Sequence, residues 1–280
     1  MATDREASRE SSLDLRPMFA PQAWDRVADA YADLLAEPFG RYADDAIAWA
    51  DPVPGERVLD VATGPGTLAL RVARTTEVDA LDFSPGMLAA LRARADEEQR
   101  RRLRLHEGDG QALPFTDARF DVAFSLFGLF LFPDRGKGFA EMARVLRPGG
   151  RAVIATWQPQ DGIAAFAAVN AELAAEMEPV EGEPPKAPLS DPAELAAEMG
   201  AAGFDVEVRP SVHRLETPSL EALWSGLRDA HVALGLARSQ LSEPRWEALQ
   251  ARIEARLRSS LDDGPQSIEM PAWLALGRRA

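Results

Sequence analysis

The chain has 280 residues, and 31 Lys and Arg against 45 Asp and Glu leave a formal charge of −14. That acidity argues against nucleic acid or an anionic membrane surface as partner, since both call for basic patches. The absence of Cys excludes disulfides, thiolate metal sites and thiol catalysis, and three His, at 106, 213 and 231, are too few for a His-based metal cluster.

No apolar run approaches the ~18 residues needed to span a bilayer. Residues 1–16 are charged and polar, without the apolar stretch of a secretory signal, and read as a mobile tail on a cytoplasmic protein. From Pro21 to Ala50, Trp24, Val27, Ala28, Tyr31, Leu34 and Leu35 recur at helical spacing, and Pro38-Phe39-Gly40 is expected to break the segment into two helices. Residues 57–62 read as a short buried strand, followed at once by Gly64-Pro65-Gly66 and a helix over 67–74. Val78 to Asp82 is strand-like, and Ser84-Pro85 has the N-cap and first-turn residues of a helix start. Further strands are expected at 103–106, 120–125 and 152–157, with a helix over 138–146 stopped by Pro148-Gly149-Gly150. Strands and helices alternating at this spacing imply a parallel α/β sheet over 57–157. Beyond it come a helix over 163–177, an acidic Pro-rich loop over 178–188, a helix from Asp191-Pro192, a strand over 204–212, helical segments over 218–261 and a last strand near 269–277.

Gly64-Pro65-Gly66 stands where a strand turns into a helix, so the backbone can approach a ligand and present helix-start N–H groups to it. Gly64 to Ala69 also fits the dinucleotide pattern GxGxxG/A, so a nicotinamide or flavin oxidoreductase competes as a reading. Asp60, four residues before Gly64, would repel a pyrophosphate and tolerate a ligand bearing ammonium and sulfonium groups. Asp82 ends the next strand and suits the two hydroxyls of a ribose in either cofactor. Gly108-Asp109-Gly110-Gln111 adds a carboxylate and a backbone suited to an adenine edge.

Residues Val58 to Gly66 resemble motif I of the class I S-adenosylmethionine-dependent methyltransferases. Ala80 to Leu88, Gly108 to Phe115, Phe120 to Ser125 and Arg144 to Gly150 are similar to the later segments of that family, in the same order and spacing. The resemblance spans about residues 20–160. Trp24-Asp25-Arg26-Val27-Ala28 with Tyr31 resembles the N-terminal helix of the ubiquinone/menaquinone-biosynthesis branch, which carries the methyltransferase type 11/25 domain. One departure is Ala62, where the family often has Gly; Ala is expected to take more ordinary backbone angles there.

The resemblance implies a Rossmann-like α/β fold, a seven-stranded mixed sheet with helices on both faces, an antiparallel last strand and a helical insert before it. It implies S-adenosyl-L-methionine as cofactor and S-adenosyl-L-homocysteine as product. Asp82 would hold the ribose, Phe83 and Met87 would border the adenine, and Asp109 with the Gly110-Gln111 backbone would meet its edge. Asp60 would support the glycine loop, and Ala62, Thr63, Gly64, Gly66 and Ser125 would face the methionine end. Plain alternatives stand beside these roles: Asp109-Gly110 is also a common turn pair, and Trp24 and Tyr31, on one helix face, either cover the cofactor or simply pack on the sheet. His231 shares an apolar face with Leu220, Trp224, Leu227 and Leu234. It is a satisfied core residue or a general base in the acceptor pocket. His106 reads as structural, His213 as a strand end, and Arg100 to Arg102 as a solvated helix end.

Methyl transfer from a sulfonium needs alignment and water exclusion more than an acid–base dyad, so none is required. The expected organisation is one domain over 17–280, with a cofactor-binding core at 50–160 and acceptor-pocket elements at 20–48, 158–200 and 213–265. Their Ala, Leu and aromatic content, with Phe127, Phe130 and Phe132, suits a small, largely apolar methyl acceptor. Monomer and homodimer are both compatible with the sequence, and so is a protein that binds the cofactor without turnover.

Overall fold

In the computed structural model, which describes residues 12–160, 162–178 and 187–280, the apolar runs assemble into one sheet. Its strands are β1 (Val58–Val61), β2 (Val78–Asp82), β3 (Leu103–Glu107), β4 (Phe120–Leu126), β5 (Leu146–Trp157), β6 (Phe204–Thr217) and β7 (Gln266–Arg279), in the spatial order β3-β2-β1-β4-β5-β7-β6. The first five run parallel, and β7 lies antiparallel to both β5 and β6. Every residue of β1 and β2 is buried, as befits parallel strands covered on both faces.

Helices α1 (Pro21–Asp25), α2 (Ala28–Ala50), α3 (Ala69–Val72), α4 (Pro85–Arg94) and α5 (Glu97–Arg102) belong to the N-terminal half, and α6 (Arg135–Val145) precedes β5. α7 (Ala164–Glu176) and α8 (Pro192–Ala201) lie between β5 and β6. α9 (Leu220–Ala230), α10 (Val232–Gln240) and α11 (Glu243–Ser260) form the insert before β7. One face of the sheet packs Leu59, Val61, Leu81 and Ile154 against Phe139 and Met142 of α6 and Leu195 and Met199 of α8. The other packs Val58, Val78, Ala80 and Phe124 against Ala43 and Ala46 of α2 and Leu91 of α4. The insert closes a third, aromatic-rich core over Phe39, Tyr42, Phe127 and Leu274.

Four expectations change. The helix does not break at Pro38: α2 runs through it, and the interruption falls at Arg26-Val27 instead. Pro38 costs a backbone hydrogen bond, but Phe39, Tyr42, Ala43 and Ala46 are all buried on this helix, so packing overrides the local break. Gly40 is needed for closeness: the Arg71 guanidinium occupies the space of a Cβ there, and its Nη1 donates to the Thr67 carbonyl at 2.9 Å. The helix expected to stop at Pro148 ends at Val145, and β5 starts at Leu146 and runs through Pro148-Gly149-Gly150. The insert divides at His231 as well as near Ser242. Of the expected tail, residues 1–11 lie outside the described residues. Leu13 is already part of the fold: it is buried and its N–H donates to the Glu176 carbonyl at 2.8 Å. Most of the acidic loop, 179–186, also lies outside the described residues.

Candidate functional site

The chain reverses its order across the sheet between β1 and β4, and ligands of open α/β sheets bind outside the strand ends at such a point. There the structure has a cavity of about 310 Å³. It is lined by the ends of β1 and β2, the loop after β3, the segment 126–133 after β4, and Met18, Phe19, Trp24, Tyr31 and Phe39 of the N-terminal segment.

The floor is set by the turn after β1. The Thr63 N–H donates to the Leu81 carbonyl at 3.0 Å, and the Thr63 hydroxyl donates to Asp60 Oδ2 at 2.6 Å. Ala62, Gly64 and Gly66 have φ of 55°, 55° and 82°. Ala62 therefore does not take ordinary angles: it holds the left-handed conformation that Gly would take freely, at a cost of about 1–2 kcal/mol. The tight reversal imposes it. Gly128 makes room alongside, for its own Cβ would overlap that of Ala62.

Asp82 carries the next wall. Its Oδ2 accepts from the Gly64 N–H at 2.8 Å and its Oδ1 from the Ser84 N–H at 2.9 Å. Burial pushes its carboxyl up to about 6, with the two hydrogen bonds pulling the other way. Asp60, 2 % exposed, is pushed up to about 7, again by burial, with the charge of Asp82 adding to it. Burial and nearby Asp82 likewise raise the Tyr31 phenol. Ser84 caps α4 as expected, its Oγ accepting from the Met87 N–H at 3.0 Å.

Asp109 serves its turn and also faces the cavity. Its Oδ1 accepts from the Gln111 N–H at 2.8 Å, while Gln111 Oε1 accepts from Asp134 N–H at 2.8 Å and ties the loop to α6. Gly110 has no room for a side chain: a Cβ would lie 2.9 Å from Val61 and into the Phe132 ring.

Of the expected site residues, Tyr31, Asp60, Ala62, Thr63, Gly64, Asp82, Phe83, Met87, Asp109, Gly110 and Gln111 line this one cavity. Three do not. Gly66 lies against Leu91 and lets the glycine loop sit close on α4. Ser125 is fully buried behind the wall with its hydroxyl unpartnered. His231, read as a satisfied core residue or a general base, is not among the lining residues: it sits at the α9–α10 corner, its Nδ1 buried without a partner, and burial pushes the ring down to about 4. A group held neutral and away from the cavity cannot take a proton from a ligand in it.

The apolar wall also differs from expectation. Among the described residues it comes from the N-terminal segment and from Leu126, Phe127, Leu131 and Phe132, with nothing from 158–200 or 213–265. Those elements pack instead on the aromatic core behind it, where Phe127 stacks on Trp157 with centroids 3.9 Å apart. Met18 and Phe19 were missed because they fall at the edge of the tail. Phe39 was legible, for it follows Trp24 and Tyr31 at near-heptad steps, and Tyr31 meets both rings edge-on, centroids 6.0 and 6.1 Å apart. His106 is structural as expected, paired to Asp79 at 2.6 Å.

The charge of the lining limits what it can hold. Asp60, Asp82 and Asp109 face the cavity, and among the described lining residues there is no Lys, Arg or His. A pyrophosphate would meet carboxylates and no counter-charge. A ligand carrying a sulfonium and an ammonium group finds the complementary sign, an acceptor for ribose hydroxyls at Asp82 and aromatic faces for a base. The residues present fit S-adenosylmethionine and not a dinucleotide. Among the described residues no group of three or more potential ligands could hold a metal, and no helix is long and apolar enough to cross a membrane.

Residues 58–150 match the family described as "Methyltransferase domain". The chain is 38% identical over 149 residues to a ubiquinone/menaquinone biosynthesis C-methyltransferase of Geobacter sulfurreducens, covering 46% of this chain and 57% of that one. It is 39% identical over 153 residues to a demethylmenaquinone methyltransferase of Renibacterium salmoninarum, covering 52% and 61%. The chain thus spans little more than half the length of these curated relatives. Among solved structures, the YcgJ protein of Bacillus subtilis superposes with a TM-score of 0.60 at 20% identity, covering 85% of this chain and 98% of that one, a likeness of fold.

Proposed function

We infer that the chain, whose residues 58–150 match a methyltransferase domain, is a class I S-adenosylmethionine-dependent methyltransferase that transfers a methyl group to a small, largely apolar acceptor bound in the same cavity. The observation that carries this reading is the lining itself: among the described residues, three carboxylates, no cation and an aromatic wall around the turn that follows β1.

S-adenosylmethionine, when bound, supplies a methyl carbon already activated by its sulfonium. The task left to the protein is to hold donor and acceptor in line and keep water out. Asp82 would hold the ribose, Gly64 and Thr63 the methionine end by backbone groups, and Asp60 would fix that turn through Thr63. Phe83 and Met87 would flank the adenine, with Asp109, Gly110 and Gln111 at its edge. Phe39, Phe127, Leu126 and Leu131 would form the acceptor's side, where aromatic and aliphatic surface favours an uncharged ring over a phosphate or carboxylate. The names of the relatives favour a quinol-like acceptor methylated at carbon as the first candidate.

The test is calorimetric titration with S-adenosylmethionine, S-adenosylhomocysteine and NADH, followed by transfer of labelled methyl to a panel of quinols, phenols and amines. Micromolar binding of the first two and label on one acceptor class would support the reading. Tight binding of NADH alone would overturn it.

A further inference from the structure

Asp60 and Asp82 line the cavity yet are only 2 % and 4 % exposed, so the cavity floor is well sheltered from solvent. Met18, Phe19, Trp24 and Tyr31 of that segment form part of the cavity wall. The Trp24 indole N–H donates to the Met18 carbonyl at 2.8 Å, which fastens the short turn Arg16–Phe19 to α1, so the two move together.

The polar ties of this segment are of two kinds. On one side it is joined to the insert and α7: the Asp14 N–H donates to Gln240 Oε1 at 2.9 Å, Arg26 donates to Ser239 Oγ at 3.0 Å, and Leu13 N–H to the Glu176 carbonyl at 2.8 Å. On the other side, toward the cofactor half, the described residues show a single carboxylate. Asp25 Oδ1 accepts from the Ser84 hydroxyl at 2.6 Å and from the Gly86 N–H at 2.8 Å. Ser84 is the N-cap of α4 and lies two residues beyond Asp82, with Phe83 between them. Gly86 is required for this approach, because a Cβ there would stand 2.8 Å from the Asp25 Cα.

We propose that Asp25 is a positioning residue that latches the N-terminal segment over the cavity, with the insert side as hinge, and so governs how fast cofactor enters and product leaves. The proposal rests on the functional reading above. On this proposal the same two hydrogen bonds hold the segment with and without ligand, so weakening them raises the open fraction of both. Association and dissociation then accelerate together while affinity changes little. Asp25→Ala removes both bonds. Gly86→Ala places a Cβ 2.8 Å from both the Asp25 Cα and its Oδ1, and so pushes the segment and its carboxylate away while leaving residue 25 an Asp. Asp25→Asn keeps an acceptor oxygen toward both donors.

Stopped-flow fluorescence with S-adenosylhomocysteine as probe reads the two rates directly. Loss of these two part-buried hydrogen bonds, which water partly replaces, is expected to raise both by about tenfold in Asp25→Ala and Gly86→Ala. The equilibrium constant should stay within about threefold, and Asp25→Asn should lie near the wild type. Unchanged rates in either Asp25→Ala or Gly86→Ala, or a loss of affinity through one rate alone, would overturn the latch. Should the wild type bind neither S-adenosylmethionine nor S-adenosylhomocysteine, it is the functional reading that fails. Should Asp25→Ala not fold, Gly86→Ala and Asp25→Asn decide the question.

Discussion

The Asp82 carboxylate accepts the backbone N–H of Gly64 at 2.8 Å, joining the end of one strand to the glycine turn that leaves its neighbour. One side chain thus ties the two strand ends together at the cavity it lines, where the proposed function has it accept from a ribose. Asp82→Ala is expected to lower S-adenosylmethionine affinity by about a hundredfold or more, since charge-assisted bonds of this kind contribute about 1.5–3 kcal/mol each. Calorimetry on the folded variant, its fold verified by circular dichroism, measures this; an affinity near the wild type would remove Asp82 from the binding role.

Binding should also depend on pH. Burial holds Asp82 at about 6 and Asp60 at about 7 in the folded chain. Both are raised above the unfolded value of about 4, so their contribution to stability is full below that value and is lost as pH rises through 6 and 7. A cationic ligand prefers the ionised forms and reverses the trend. Affinity for S-adenosylmethionine is expected to rise by about tenfold or more between about pH 5.5 and about pH 8. Titrations at fixed ionic strength across that interval provide the check, and a flat profile would contradict the assignment.

His231 gives a contrasting dependence. Burial lowers its ring to about 4 against an ordinary 6.5, so the neutral ring's stabilising contribution is present above 6.5 and lost as pH falls through 4. His231→Leu removes the unpartnered Nδ1 and the group that must charge in acid. It is expected to gain about 2 kcal/mol of relative stability near pH 4, with methyl transfer at neutral pH unchanged. Denaturant melts and an acceptor assay measure the two; loss of transfer in a stable variant would restore a catalytic role.

Ala62 and Gly128 form a reciprocal pair, since a Cβ at Gly128 overlaps that of Ala62. Gly128→Ala alone should cost about 1–3 kcal/mol by overpacking, and Ala62→Gly should relieve it in the double variant. Alone, Ala62→Gly trades left-handed strain for backbone entropy and is expected to fall within about 1 kcal/mol of the wild type. A thermal-melt double-mutant cycle tests the coupling; additive effects would deny it.

Phe127→Leu should raise the acceptor KM about tenfold and leave S-adenosylmethionine affinity within about twofold, because the ring borders the apolar side of the cavity and stacks on Trp157. A matched loss for both ligands would place Phe127 on the cofactor side.

What the residues revealed before folding follows from how local each signal is. Val58 to Gly66 and Val78 to Pro85 carry strand, turn and cap in contiguous residues, so the strand ends and the carboxylates at them were legible. Pro38 misled because its local cost is offset by the burial of Phe39 and Tyr42, which only the tertiary fold supplies. His231 and the acceptor elements misled for the same reason: an apolar helical face does not say which cavity or core it meets. Asp25 stood in the Trp24–Ala28 resemblance, but its contact with α4 gave no local signal, since its partners lie 59 and 61 residues away.

The cation-free lining bears on the direction of turnover. On the proposed function, methyl transfer would turn the donor's sulfonium into a neutral thioether, and the coproduct held beside Asp60 and Asp82 would carry no net positive charge. The ammonium group would remain, so the carboxylates would lose one of the two positive charges that attract the donor. By charge alone, the site would then hold the coproduct less tightly than the donor. Raising salt should weaken the donor's affinity more than the coproduct's, and equal salt slopes would show that charge plays no part in the release.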